Sequence, residues 1–185
     1  GDMEIISTPC DFIGLNVYRG LFVEAPGADS TSRGMTVVGG VENVALPIQM
    51  TPSTAGAAGP DAGYSVLPFP ESYPRGAAQW VLFGPQAISL GTRLLHEEYG
   101  YKKLYITENG TVGKDDITEG RVIDLDRAEY YRLYLQNAAR AAAEGVPLKG
   151  YFAWSMMDNF EWSQGYKERF GLHYVNYQTL ERKLK

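Results

Sequence analysis

Short, continuous apolar runs alternate along the chain with longer stretches of helical spacing. Asp11-Phe12-Ile13-Gly14-Leu15-Asn16-Val17-Tyr18 is rich in β-formers and reads as a buried strand whose C-terminal end lies near Asn16 and Tyr18. Ile88, Gly91, Leu94, Leu95 and Glu98 recur at helical spacing behind Gly84-Pro85. Proline suits the first turn of that helix and Gly100 can end it. Lys103-Leu104-Tyr105-Ile106-Thr107 is a second strand, and Glu108-Asn109-Gly110 behind it reads as a turn signal. A second helix is predicted over residues 126–144, with Tyr130, Leu133, Tyr134, Ala138 and Ala141 on one face. Asp124 or Asp126 can cap it, and Gly145 followed by Pro147 stops it. Gly150-Tyr151-Phe152-Ala153-Trp154 is a third strand.

Two regions break the alternation. Residues 19–79 are irregular and rich in Gly, Pro, Ala and Ser, with a small hairpin expected around Val37, Val38, Val41 and Val44. A loop of that length in a compact domain is usually functional or mobile. Residues 155–185 read as loop-rich, with no terminal helix.

Strand, helix, strand, helix, strand, with continuous apolar strands, means a parallel sheet covered on both faces. Three strands cannot close a barrel, so two open edges and a half-covered core are expected. The chain is read as one segment of a single domain, residues 1–185.

Composition narrows the function classes. A net charge of -5 argues against nucleic acid, because a phosphate-binding surface needs clustered Lys and Arg. It suits a neutral ligand. Aromatic residues reach 12%, which fits either an aromatic-rich core or rings that hold sugars. The single cysteine, Cys10, excludes an intrachain disulfide and is expected to be a buried structural thiol. His96 and His173 lack metal-ligand spacing, so neither metal nor cofactor is expected. No apolar run is long enough to span a bilayer and no secretory signal is visible, so a cytoplasmic location is expected.

Two clusters carry candidate chemistry. Glu108 stands at the C-terminal end of a buried strand, where parallel α/β folds collect catalytic groups. A carboxylate there can attack a sugar carbon or act as a base. Taken alone, Thr107-Glu108-Asn109-Gly110 reads rather as a turn with a carboxylate facing backbone N–H groups, and the second cluster reverses that preference. The second cluster, Trp154-Ser155-Met156-Met157-Asp158-Asn159-Phe160-Glu161-Trp162, follows the third strand. Trp154 and Trp162 offer apolar faces, and Glu161 offers an acceptor for paired hydroxyls. Asp158, Asn159 and Phe160 are read as structural.

These segments resemble glycoside hydrolase family one. Tyr105-Ile106-Thr107-Glu108-Asn109-Gly110 resembles its nucleophile signature, and residues 150–162 resemble its sugar-binding segment. Asp11 to Tyr18 resembles the strand before the nucleophile, and Gly165-Tyr166-Lys167-Glu168-Arg169-Phe170-Gly171-Leu172 resembles the segment after the sugar site. The resemblance implies a retaining β-glucosidase on a partial (β/α)8 TIM barrel covering strands six to eight. It also implies roles. Glu108 is the nucleophile and Tyr18 holds it. Asn16 lines the pocket, Trp154 lies under the sugar, Glu161 holds hydroxyls, Trp162 is the neighbouring indole donor, and Phe170 is a wall. Tyr166, Arg169 and Asn109 are expected to be structural. Glu161 disfavours a phosphorylated sugar on charge grounds, so a non-phosphorylated β-glycoside is expected, most often a glucoside, with galactosides and fucosides left open.

The family's acid/base lies in a Thr-x-Asn-Glu-Pro segment, and no Asn-Glu-Pro occurs here. The expected partner is therefore an N-terminal half of the same barrel. Alternatively, copies self-associate to cover the open edges and form a sugar-binding or assembling module without catalysis. Nucleic acid and membrane are not expected partners.

Overall fold

The computed structural model describes residues 1–20, 22–24, 65–67, 69–78 and 81–185. Its centre is a three-stranded parallel sheet of β1 (Ile13–Asn16), β4 (Leu104–Asn109) and β7 (Leu148–Ala153), in the order β1-β4-β7. Leu104 pairs with Ile13 on one side and with Leu148 on the other. Parallel strands joined in this order need crossovers, which the helices α2 (Gln86–Glu97) and α3 (Leu125–Ala143) provide.

Residue type explains these elements. In β4, Leu104 and Ile106 are fully buried between sheet and helices. In α3, Arg127, Tyr130, Tyr134, Ala138 and Ala141 are buried, three or four residues apart, so they form one stripe facing the core. Gly145 ends the helix at φ +96°, a conformation glycine adopts without steric cost. Asp124 stands at the N-cap, but its carboxylate meets Arg127 at 2.8 Å instead of a backbone N–H.

Two expectations need correction, on the end of β4 and on Cys10, and the face of α2 and the C-terminal region gain detail. β4 continues through Glu108 to Asn109, so the predicted turn begins later, because Asn109 still pairs with Ala153 of β7. Residue Leu94 of α2 is exposed, and Ile88 and Thr92 are that helix's buried positions. Cys10 is exposed, within a run from residue 7 to residue 12 that nothing buries. The C-terminal region is not simply loop: a 3-10 turn (Trp162–Gln164) precedes an antiparallel hairpin of β8 (His173–Val175) and β9 (Arg182–Leu184). Two further antiparallel pairs form, β2 (Phe22–Glu24) with β3 (Ser65–Leu67), and β5 (Ile117–Thr118) with β6 (Arg121–Val122). The hairpin expected around Val37 to Val44 lies outside the described residues. A short N-terminal helix, α1 (Asp2–Ile6), buries none of its residues.

The sheet's edges are unfinished. Phe12 beside β1 and Phe152 in β7 are 51% and 58% exposed, whereas strands of a parallel sheet are normally covered on both faces. Among the described residues no helix is long and apolar enough to cross a membrane, and no group of three or more His, Cys, Asp and Glu could hold a metal ion.

Candidate active site

The site forms where the three parallel strands end. Asn16 of β1 stands in register with Glu108 of β4, so the two side chains leave the sheet at one level. Thr107 Oγ1 donates to Asn16 Oδ1 at 2.7 Å, tying the ends of both strands together. Two residues beyond β1, the Tyr18 hydroxyl donates to Glu108 Oε2 at 2.6 Å. That distance marks a charge-assisted hydrogen bond. Burial raises the Tyr18 pKa, and the Glu108 carboxylate beside it raises it further. The hydroxyl therefore remains a proton donor at any working pH.

Glu161 comes from the loop after β7 and is half-buried. Burial raises its pKa, and the neighbouring carboxylates of Glu168 and Glu108 add to the effect. An ionised Glu161 is thus held among acceptors, and donors from a ligand would stabilise its charged form. The loop is closed by Glu161 N donating to Gly165 O at 2.6 Å and Gln164 N donating to Glu161 O at 2.8 Å.

The structure brings Glu108, Tyr18, Glu161, Phe170 and Trp154 together. The ring of Phe170, which is buried, meets that of Tyr18 edge-on at 6.1 Å. Trp154 packs half-buried against the core that also includes Tyr18 and Phe170. Its backbone N donates to Asn109 O at 2.8 Å, and the Trp154–Ser155 peptide is cis. Asn16 lies at the rim and is exposed. Trp162 is 60% exposed, with φ +40°, and is the predicted site residue least engaged by the fold. Asn109 and Arg169 make contacts within the protein: Asn109 is fully buried, and Arg169 lies over the rings of Tyr174 and Tyr177.

Gly110 explains why Asn109 must be followed by glycine. A Cβ at this position would collide with the Trp154 carbonyl carbon and oxygen, both of them backbone atoms. Gly110→Ala is therefore expected to push β4 and β7 apart at the site. It should cost about 1–3 kcal/mol in urea unfolding, as overpacking does.

Beneath the site lies a buried charge cluster. Asp158 accepts from Arg169 Nη1 at 2.6 Å and from Lys185 Nζ at 2.7 Å. Lys185 also meets Asp115 at 2.6 Å, and Asp115 meets Arg127 at 2.7 Å. Arg127 reaches Asp124 and donates to the Arg169 carbonyl. Side chains of Asp158, Lys185, Arg127 and Asp115 are all at most 2% exposed. Sequence reasoning missed this cluster. Its one visible signal was an arginine, Arg127, on the apolar stripe of α3.

The cluster sets an acid limit. Burial alone would raise the Asp115 pKa, but hydrogen bonds from Arg127 and Lys185 outweigh it and hold the carboxyl below its ordinary range. A depressed folded-state pKa contributes stability above the unfolded carboxylate pKa of about 3.9, and that contribution is lost as pH falls below it. Urea midpoints are expected to be level from pH 7 to about 5 and to fall steeply below about 4. In Asp115→Asn that fall should be shallower.

Comparison with known proteins gives one consistent result. The family model for glycosyl hydrolase family 1 matches residues 1–185. The 1,4-β-D-glucan glucohydrolase of Thermotoga neapolitana is 37% identical over 185 residues, covering 100% of this chain and 34% of that protein. A 6-phospho-β-galactosidase of Clostridium acetobutylicum is 31% identical over 191 residues, covering 98% of this chain and 36% of that protein. The solved β-glucosidase from Thermotoga maritima in complex with cyclophellitol superposes with a TM-score of 0.73 at 36% identity, covering 100% of this chain and 34% of that one. The chain thus spans about a third of the length of these relatives, and its three parallel strands with their helices are part of a barrel. The chain belongs to glycosyl hydrolase family 1.

Proposed function

We propose that this chain carries the nucleophile and sugar-holding half of a retaining β-glycosidase, with a β-glucoside as substrate. The observation that carries the reading is the Tyr18–Glu108 hydrogen bond of 2.6 Å at adjoining strand ends, with Glu161 close enough to act on both groups. In this reading a Glu108 oxygen attacks the anomeric carbon as the bond to the aglycone oxygen breaks. The leaving oxygen takes a proton from a second carboxyl group, about 5 Å from the first in retaining enzymes. Water then opens the glycosyl ester and restores Glu108. Tyr18 holds the carboxylate in line, Trp154 lies under the ring, Glu161 accepts from sugar hydroxyls, and Asn16, Trp162 and Phe170 complete the walls.

The segment corresponds to barrel strands six to eight, and the acid carboxyl belongs to an N-terminal part of the same barrel. Exposed Phe12 and Phe152 at the two sheet edges support such a partner, because burying them removes apolar surface from water. A phosphate near Glu161 would meet a like charge, so the plain glucoside is favoured although a 6-phospho-β-galactosidase is among the relatives.

The test is intact mass after incubation with an activated 2-deoxy-2-fluoro-glucoside, whose leaving group needs little acid help. The expected result is one added fluoroglucosyl group on the peptide containing Glu108, with the 6-phosphate of the same reagent reacting more slowly. Labelling at another residue would overturn the reading. So would a folded chain that stays unlabelled even with an N-terminal barrel segment of the family added.

A further inference from the structure

The pairing of Glu108 with Tyr18 depends on groups that never reach the pocket. Helix α3 runs back against the strands, so its N-terminal half lies beside their C-terminal ends. Tyr130 and Tyr134, one turn apart on this half, are fully buried and stack with ring centroids 4.0 Å apart. Both hydroxyls donate to one atom, the Tyr18 carbonyl oxygen, at 3.0 Å each. The Tyr134 hydroxyl also accepts from Gly84 N at 3.0 Å.

Glu108 is held through its neighbour. Asn109 Nδ2 donates to the Val17 carbonyl at 2.5 Å and to the Tyr130 hydroxyl at 2.8 Å. Its Oδ1 accepts from the Tyr151 hydroxyl. Packing alone would be met by phenylalanine at all three tyrosine positions. Instead three hydroxyls converge on the backbone of Tyr18 and on the side chain that follows Glu108.

We propose that Tyr130 and Tyr134, which meet at the Tyr18 carbonyl, and Tyr151, joined to Tyr130 through the Asn109 amide, are positioning residues that set the Tyr18 hydroxyl against Glu108. The frame rests on Glu108 being the reacting carboxylate. Burial raises the pKa of all three phenols, so they stay donors. Tyr130 and Tyr134 share one acceptor, so each partly covers for the other. Losing both removes two donors from the part-buried Tyr18 carbonyl.

The experiment uses the full chain and phenylalanine variants, which remove one oxygen and leave the ring. Rate and half-saturation of labelling by the activated fluoro-glucoside are measured for Tyr130→Phe, Tyr134→Phe, the double variant and Tyr151→Phe. The double variant is expected to lose about tenfold in labelling rate, the equivalent of one buried hydrogen bond. Half-saturation should change less than about twofold, and each single variant should lose less than the pair. In a Tyr18→Phe background the pair should add clearly less than its full effect, since the part that runs through Tyr18 is already lost and only the contact of Tyr130 with Asn109 remains. An unchanged rate, or a full additional loss in that background, would overturn the proposal. If the double variant does not fold, Tyr134→Phe and Tyr151→Phe are taken through the same cycle.

A second readout needs no reaction. The Glu108 carboxyl 13C resonance, assigned with Glu108→Gln, should move in Tyr18→Phe and in the same direction in Tyr130→Phe/Tyr134→Phe. A resonance that moves in the first and stays in the second sinks the frame. A folded wild-type chain left unlabelled even with the N-terminal barrel segment added would count against the glycosidase reading alone.

Discussion

Replacing Glu108 with glutamine is expected to abolish labelling by the activated fluoro-glucoside, with a rate loss on the order of 10^4-fold or more, as when an essential nucleophile is removed elsewhere. Glutamine keeps the shape of the side chain and an oxygen that can accept from the Tyr18 hydroxyl, now 2.6 Å away. It lacks the negative charge that makes the oxygen a nucleophile. Folding should therefore change little, and thermal unfolding checks this. Glu161→Gln separates attack from binding: it should raise the concentration of reagent needed for half-maximal labelling while Glu108 still reacts. If Glu108→Gln labels at the wild-type rate, the nucleophile lies elsewhere.

The largest stability effect is expected from Asp158→Ala. Asp158 accepts from Lys185 and Arg169 and also from the backbone N–H groups of Gly171 and Val175, at 3.0 and 3.2 Å. Alanine leaves a buried ammonium short of one carboxylate and strands two N–H groups. Breaking a buried ion pair from one side costs about 3–5 kcal/mol. At about 2–4 °C per kcal/mol for a chain of this size, the melting temperature should drop roughly 6–20 °C in calorimetry. Asp158→Asn should lose less, because it keeps an acceptor for the backbone donors. A drop below about 2 °C would mean that Lys185 and Arg169 find water instead.

Much of this was legible in the sequence. The apolar runs located all three parallel strands, and the stripe Tyr130, Tyr134, Ala138, Ala141 located the buried face of α3. Glu108 was legible because its run of β-formers ended there. The turn signal misled by two residues, because Gly110 serves a close approach to the Trp154 carbonyl rather than a change of direction. The charge cluster was not legible. Lys185 meets Asp115 across 70 residues of chain and Asp158 across 27, and no periodicity encodes such meetings. The C-terminal hairpin was missed for a related reason: its strands are three residues each, too short for an alternating pattern to register.

That cluster has a consequence for how the two sides of the site are joined. Three carboxylates and three cations, from Asp115, Asp124, Asp158, Arg127, Arg169 and Lys185, form one linked network without net charge. Removing any one member leaves the rest with an unbalanced charge held largely away from water, which is costly. The segments that carry Asp115 and Asp158 lie just downstream of Glu108 and just upstream of Glu161. The loop that carries Glu161 and the strand that carries Glu108 are thereby held to one charge network, so a substitution at any of its members should be felt on both sides of the site.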